Sequence, residues 1–218
     1  MTLAKPRYDR LLTGALLAAT AGGLDSYTYF THGEVFAGLQ TGNLILLGSH
    51  IGLGNWSRAS HYLIAILMFM VGTIVARFIQ HRYHEGLRMS RKTFIVTYEI
   101  VLIVLAGAFA AVMPNMVSVG LLSMAAAAQL QEFRQLKGKG FTSLMMTGNL
   151  RTFAEAIYDG IFKRDTMAWD NLTTIGTILF GFVVGAALNG LLIGIFHGQT
   201  IFLSAIILVM TVIASHRG

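Results

Sequence analysis

Apolar stretches of about 20 residues recur along this chain, with almost no charge inside them. A helix needs about 20 such residues to cross a hydrocarbon core of roughly 30 Å. In lipid, the backbone of a crossing segment must satisfy its own hydrogen bonds, so the stretches are expected to be helical. The chain is 55% hydrophobic and only 12% charged, where soluble domains carry about 25% charge. These features predict an all-α membrane protein. Six stretches read as full crossings, at 11–30, 60–79, 93–113, 116–135, 172–196 and 200–215.

The tetrapeptide Thr-Gly-Asn-Leu occurs twice, at 41–44 and 147–150, 106 residues apart. The surrounding segments, 35–53 and 141–161, are shorter or more polar than a crossing, and the second carries Arg151, Glu155 and Asp159. Both are read as re-entrant or broken helices. Phe69-Met-Val-Gly72 echoes Phe182-Val-Val-Gly185, and Thr93-Phe-Ile loosely echoes Thr200-Ile-Phe. The chain is therefore read as a duplicated unit, with a first repeat over 1–113 and a second over 114–218.

Charge sets the orientation. With the N-terminus inside and six crossings, fifteen of the sixteen Lys and Arg residues fall on the cytoplasmic side, and Arg58 alone lies outside. Eight crossings would put the basic stretch 77–92 outside, against the positive-inside rule. Three crossings per repeat is an odd number, so the second repeat is expected to be inverted relative to the first. Both termini are expected in the cytoplasm.

Inverted repeats with interrupted helices place binding sites near the midplane. Each Thr-Gly-Asn triplet reads as a helix start: Thr or Asn can cap free N–H groups and Gly allows close approach. Two such N-termini facing each other suit an anion or a polar headgroup. The competing reading is a tight turn that packs two short helices. The expected solute-binding residues are Asp25, Tyr27, Thr28, Gln40, Thr41, Gly42, Asn43, Thr147, Gly148 and Asn149.

Other polar residues are candidates for coupling or gating. Gly22-Gly23 would let the first span bend before Asp25, which is either an intramembrane acid or a solvated interfacial one. At the repeat spacing Asp25 aligns with Gln131, beside Glu132 and Arg134. Glu132 and Arg134 are either gate residues or interface charges. Glu99 is a coupling acid, a snorkelling side chain or a partner of Arg77. Arg151 is a buried cation, or it pairs locally with Glu155. The Gly181-x-x-x-Gly185 and Gly190-x-x-x-Gly194 pairs lie on opposite faces of the fifth span and suit close helix packing, with one face available for a homodimer.

Gly22-Gly-Leu-Asp-Ser-Tyr-Thr28, Gly33-Glu-Val-Phe-Ala-Gly-Leu-Gln-Thr-Gly-Asn-Leu44 and Phe141-Thr-x-x-Met-Met-Thr-Gly-Asn-Leu150 resemble the YoaK-like family of bacterial membrane proteins. The resemblance covers nearly the whole chain and implies an inner-membrane location. It supplies no substrate and no functional residues.

No nucleophile motif, P-loop or paired carboxylates point to an enzyme. The seven histidines lack metal-ligand spacing and there are no cysteines, so neither a metal nor another cofactor is expected. The net charge of +6 is assigned to orientation rather than to nucleic-acid binding. The expected partners are the bilayer and a small polar solute. The leading reading is a transporter or channel for an anionic or zwitterionic solute; the alternative is a non-transporting sensor or accessory subunit.

Overall fold

The computed structural model describes residues 8–83 and 89–216. Lys5, Arg7, Arg88 and Arg217, used in the charge count, lie outside them. The described residues form eight α-helices: α1 (Leu11–Thr31), α2 (Gln40–Gly52), α3 (Trp56–Arg82), α4 (Arg91–Ala108), α5 (Asn115–Glu132), α6 (Met146–Phe162), α7 (Thr166–Phe196) and α8 (Phe202–His216). A 3-10 turn, His197–Ile201, joins the last two. Helix α3 and the run Thr166–His216 are long and apolar enough to cross a membrane.

Helix starts follow local chemistry. Asn55, Ser90 and Asp165 each accept a backbone N–H from the first turn of α3, α4 and α7, as capping residues do. Helix α5 begins behind Pro114, and ends at Glu132, three residues before the expected end of the fourth span. A two-stranded hairpin follows, β1 (Gln135–Leu136) paired with β2 (Lys139–Gly140). Its turn places Lys137 and Gly138 at positive φ. Leu136 from this hairpin packs against Gly14 of α1.

The packing of the helices reproduces itself when the halves are exchanged. Helix α1 lies against α7 and α8, and α5 lies against α3 and α4. Helix α2 packs on α3, α6 packs on α7, and α4 meets α8. Small residues make the closest crossings. A Cβ on Gly185 would fall 1.9 Å from the Ala19 carbonyl oxygen, and one on Gly72 would fall 2.6 Å from the Met124 Cα. Close backbone approach of this kind is what small-residue stripes permit in membrane bundles. Helix α1 is continuous through Gly22-Gly23. Those glycines do not break it; Gly22 meets the Phe182 carbonyl, and Gly23 meets Asn189 and Ser204.

Contact order gives the directions. Ala15 faces Gly181, Ala19 faces Gly185 and Gly23 faces Asn189, so α1 and α7 run the same way. Gly120 faces Met68, Gly72 faces Met124 and Gln131 bonds Gln80, so α3 and α5 also run the same way. Arg91 at the start of α4 pairs with Glu132 at the end of α5, so those two are antiparallel. Gly107 near the end of α4 meets Ile201 and Phe202 at the start of α8. Tyr8 touches Thr93 and Ser215 at the opposite ends of those helices. Helices α1, α4 and α7 therefore run one way, and α3, α5 and α8 the other.

Large apolar side chains such as Ile74, Phe180, Val183 and Leu191 point outward from α3 and α7. Of the two glycine pairs in α7, Gly181 and Gly185 press on α1, while Gly190 and Gly194 have no atom within 4 Å of a Cβ position. Gly185→Ala is expected to cost about 3 kcal/mol through the backbone clash. Gly190→Ala should be neutral or slightly stabilising, because Ala favours a helix by about 1 kcal/mol. Thermal unfolding of the detergent-solubilised variants checks the contrast.

Candidate functional site

Asp25 sits on α1 roughly 21 Å along the helix from Leu11 at 1.5 Å per residue, and it is 6% exposed. Its Oδ1 accepts the Gly38 N–H at 2.6 Å and the Leu39 N–H at 3.3 Å. These are the donors ahead of α2, whose N-cap Leu39 offers no side-chain cap. Unpaired N–H groups and the helix dipole make that end attractive to an anion. The chain supplies the anion itself.

Neighbouring side chains complete the clamp. Thr28 Oγ1 accepts the Ala37 N–H at 3.1 Å and donates to the Leu24 carbonyl. Asn43 is fully buried; its Oδ1 accepts the Phe36 N–H, and its Nδ2 donates to the Phe36 carbonyl and to Gln40 Oε1. Gln40 in turn donates to the Ala37 carbonyl. The asparagine of the triplet thus closes the loop before α2 and does not cap the helix. Tyr27 donates to the Gly198 carbonyl at 2.8 Å and ties α1 to the 3-10 turn.

The second triplet repeats the device in part. Asn149 Nδ2 donates to the Thr142 carbonyl, seven residues back as in the first copy. Thr142 Oγ1 accepts the Met145 N–H at the start of α6. Gln129 of α5 donates to Ser143 and to the Leu17 carbonyl of α1, so it reaches into both halves. The two loops touch: a Cβ on Gly38 would lie 2.4 Å from Leu144 Cδ2, and Leu144 is buried. The triplets themselves are not brought together as a paired site. Helices α2 and α6 pack on different helices, and Thr41, Thr147 and Gly148 are exposed. Gly42 lies against the Phe36 ring.

Residues 13–214 match the family described as a protein of unknown function (DUF1275). The chain belongs to the DUF1275 family. It is 30% identical over 151 residues to the UPF0700 transmembrane protein YoaK of Bacillus subtilis (strain 168), covering 68% of this chain and 67% of that protein. The YoaK-like resemblance read from the three motifs is thereby shown, and the chain is a membrane protein. No solved structure matches it.

Among the described residues, the interior of this DUF1275 chain holds polar atoms without hydrogen-bond partners. Glu99 on α4 is fully buried, and neither carboxyl oxygen has a hydrogen bond. It does not pair with Arg77, which bonds Gln80. Gln129 Oε1, Asn189 Oδ1 and the Ser204 hydroxyl are also buried and unpartnered. Sequence inspection missed Asn189 and Ser204; the signal was polar residues inside α7 and α8, opposite Gly23.

A second polar cluster sits where α3 and α5 end and α4 begins. Gln80 Nε2 donates to Glu132 Oε2 at 2.9 Å, and Arg91 Nε donates to Glu132 Oε1 at 3.0 Å. Gln131 Nε2 donates to Gln80 Oε1, and Arg134 donates to Gln131 Oε1 at 2.7 Å. Gln131 and Glu132 therefore belong to one network rather than to the Asp25 site. Gln80, its hub, passed unnoticed at the end of an apolar run. Arg151 lies on an exposed face of α6, 3.6 Å from Glu155; it is not a buried cation.

Asp25→Ala strips acceptors from buried N–H groups and is expected to cost about 3 kcal/mol, each such loss being worth roughly 1–3 kcal/mol. Asp25→Asn keeps an oxygen and should cost about 1 kcal/mol. Thermal unfolding, with hydrogen exchange at the Gly38 amide, reads both; exchange should quicken in the alanine variant.

Proposed function

We propose that this chain is a six-span carrier for a small anionic or zwitterionic solute, built as an inverted-topology repeat. The opposed helix directions support the inversion: α1, α3 and α4 alternate in one sense, and α5, α7 and α8 in the other. Charge follows the same symmetry with its sign reversed. Glu34 pairs with Arg58 at the head of α3, and Lys137 pairs with Asp170 near the head of α7. The positive-inside rule then assigns Glu34 and Arg58 to the outer face of a bacterial inner membrane, and both termini to the cytoplasm.

Glu99 is the observation that carries transport. An acid wholly buried in a spanning helix, with no hydrogen bond or ion pair among the described residues, is functional by default. It lies roughly 12 Å along α4 from Arg91, at 1.5 Å per residue. Among the described residues, the titratable groups in its electrostatic surroundings are Glu132 of α5, Tyr98 beside it and Tyr8 ahead of α1. Glu99 is assigned proton coupling. The loop contact between Gly38 and Leu144 is the closed gate of a carrier, and the loops ahead of α2 and α6 part to admit solute.

One observation favours the second reading, a sensor or accessory subunit: Asn43, Asn149 and Asp25 already spend their hydrogen bonds on their own loops. For that reason alanine at Asn43 or Asn149 would disturb the fold whatever the function. Glu99→Gln is cleaner, since that side chain has no hydrogen bond to lose. The protein is reconstituted in liposomes containing a pH-sensitive dye, and small carboxylates, amino acids and inorganic phosphate are added in turn. At least one should drive a saturable proton flux that Glu99→Gln lowers about tenfold or more, a typical size for loss of a proton-transfer group. Equal flux in both proteins contradicts the coupling role, and silence across the panel favours the accessory reading.

A further inference from the structure

The network around Glu132 holds more positive charge than it neutralises. Beside it a recess of about 640 Å³ opens between Ile74, Arg77, Phe78 and His81 of α3 and Gln131 with Arg134 after α5. A second, of about 480 Å³, continues it to Arg91, Lys92 and Glu132. Four cations, Arg77, Arg91, Lys92 and Arg134, face one carboxylate among the described lining residues. That carboxylate is already held by Arg91 and Gln80.

Arg77 and Arg134 have no carboxylate partner among the described residues. Each is fixed by a neutral amide instead: Arg77 donates to Gln80 Oε1 at 3.3 Å, and Arg134 donates to Gln131 Oε1 at 2.7 Å. Gln131 also donates to Gln80, so the two guanidinium groups are joined through one amide relay that leaves their charge unneutralised. Pre-oriented guanidinium forks match the paired oxygens of a phosphate. The floor of the same recess is apolar, made by Ile74 and Phe78 on the outward face of α3.

We propose that this recess binds an anionic phosphate group, with Arg77 and Arg134 as its ligands. The apolar floor continues onto the outer surface of α3, so the phosphate of an anionic phospholipid fits, with its acyl chain along Ile74 and Phe78. A free phosphate meets the same forks. The site includes neither Asp25 nor Glu99 and does not depend on transport.

The protein is purified in dodecyl maltoside, and retention of dioleoylphosphatidylglycerol or dioleoylphosphatidylcholine is read by native mass spectrometry. Thermal unfolding is followed in parallel with inorganic phosphate or glycerol 3-phosphate. The parent should retain the glycerol lipid over the choline lipid, and Arg77→Gln with Arg134→Gln should weaken it about tenfold, the loss of roughly one charge-assisted bond. Stabilisation by free phosphate instead, lost in the same double variant, assigns the site to a soluble ligand and upholds the phosphate assignment. Ile74→Trp fills the floor without touching charge and should weaken lipid retention alone, which guards against a double variant that fails to fold. Arg151→Gln, on the exposed face of α6, serves as control. Equal binding in the parent and the Arg77/Arg134 double variant, or no preference for any anionic phosphate probe over the choline lipid, overturns the proposal.

Discussion

A backbone N–H buried away from water must find its partner inside the protein, and this chain twice folds a loop against the bundle ahead of a short helix. The fold depends on how those loops are satisfied. Before α2 the donors of Phe36, Ala37, Gly38 and Leu39 go to Asn43, Thr28 and Asp25. Three of those four bonds come from α1, so the long helix and the loop order each other. The anion-attracting end of α2 is occupied by a carboxylate of the same chain, which moves the search for a ligand elsewhere.

Close helix crossings set the frame that holds these loops. Gly22, Gly181 and Gly185 bring α1 and α7 to backbone contact, and Gly72 brings α3 to α5. Each crossing joins the first half to the second, so the two halves share their closest packing. Gln129 makes the same point with polar atoms, bonding Ser143 of its own half and the Leu17 carbonyl of the other. The buried face of α5 is rich in small residues, with Ser118, Gly120, Ser123, Ala125, Ala126, Ala127 and Ala128 all inside.

Much of the helical order was legible because lipid-length apolar runs leave few alternatives. The first stretch, 11–30, became Leu11–Thr31. The fifth started six residues before the expected 172, because Asp165 caps a turn containing Trp169 and Asp170 that hydropathy reads as loop. The hairpin at 135–140 was invisible since strands of two residues carry no periodicity. The site was less legible. Asp25 was singled out, but its partners lie 13 and 14 residues along a loop whose path no pattern encodes. Thr41 and Thr147, marked by repetition, face outward, while Gln80 organises a network from inside an apolar helix. Repetition marked the turn that the asparagines close; it did not mark which residues converge.

The molecule holds two polar clusters. Asp25 orders the loop ahead of α2, Glu132 gathers Gln80 and Arg91, and Glu99 is buried on α4; the proposed carrier adds that the two halves run oppositely in the membrane. That opposition is the central claim, and the absence of cysteine makes it directly measurable. Single cysteines placed at Ser57, early in α3, and at Met167, early in α7, report the sidedness of equivalent positions. A membrane-impermeant maleimide applied to intact cells should label Ser57→Cys and reach Met167→Cys only after lysis. Labelling of both from the same side would contradict the inverted arrangement.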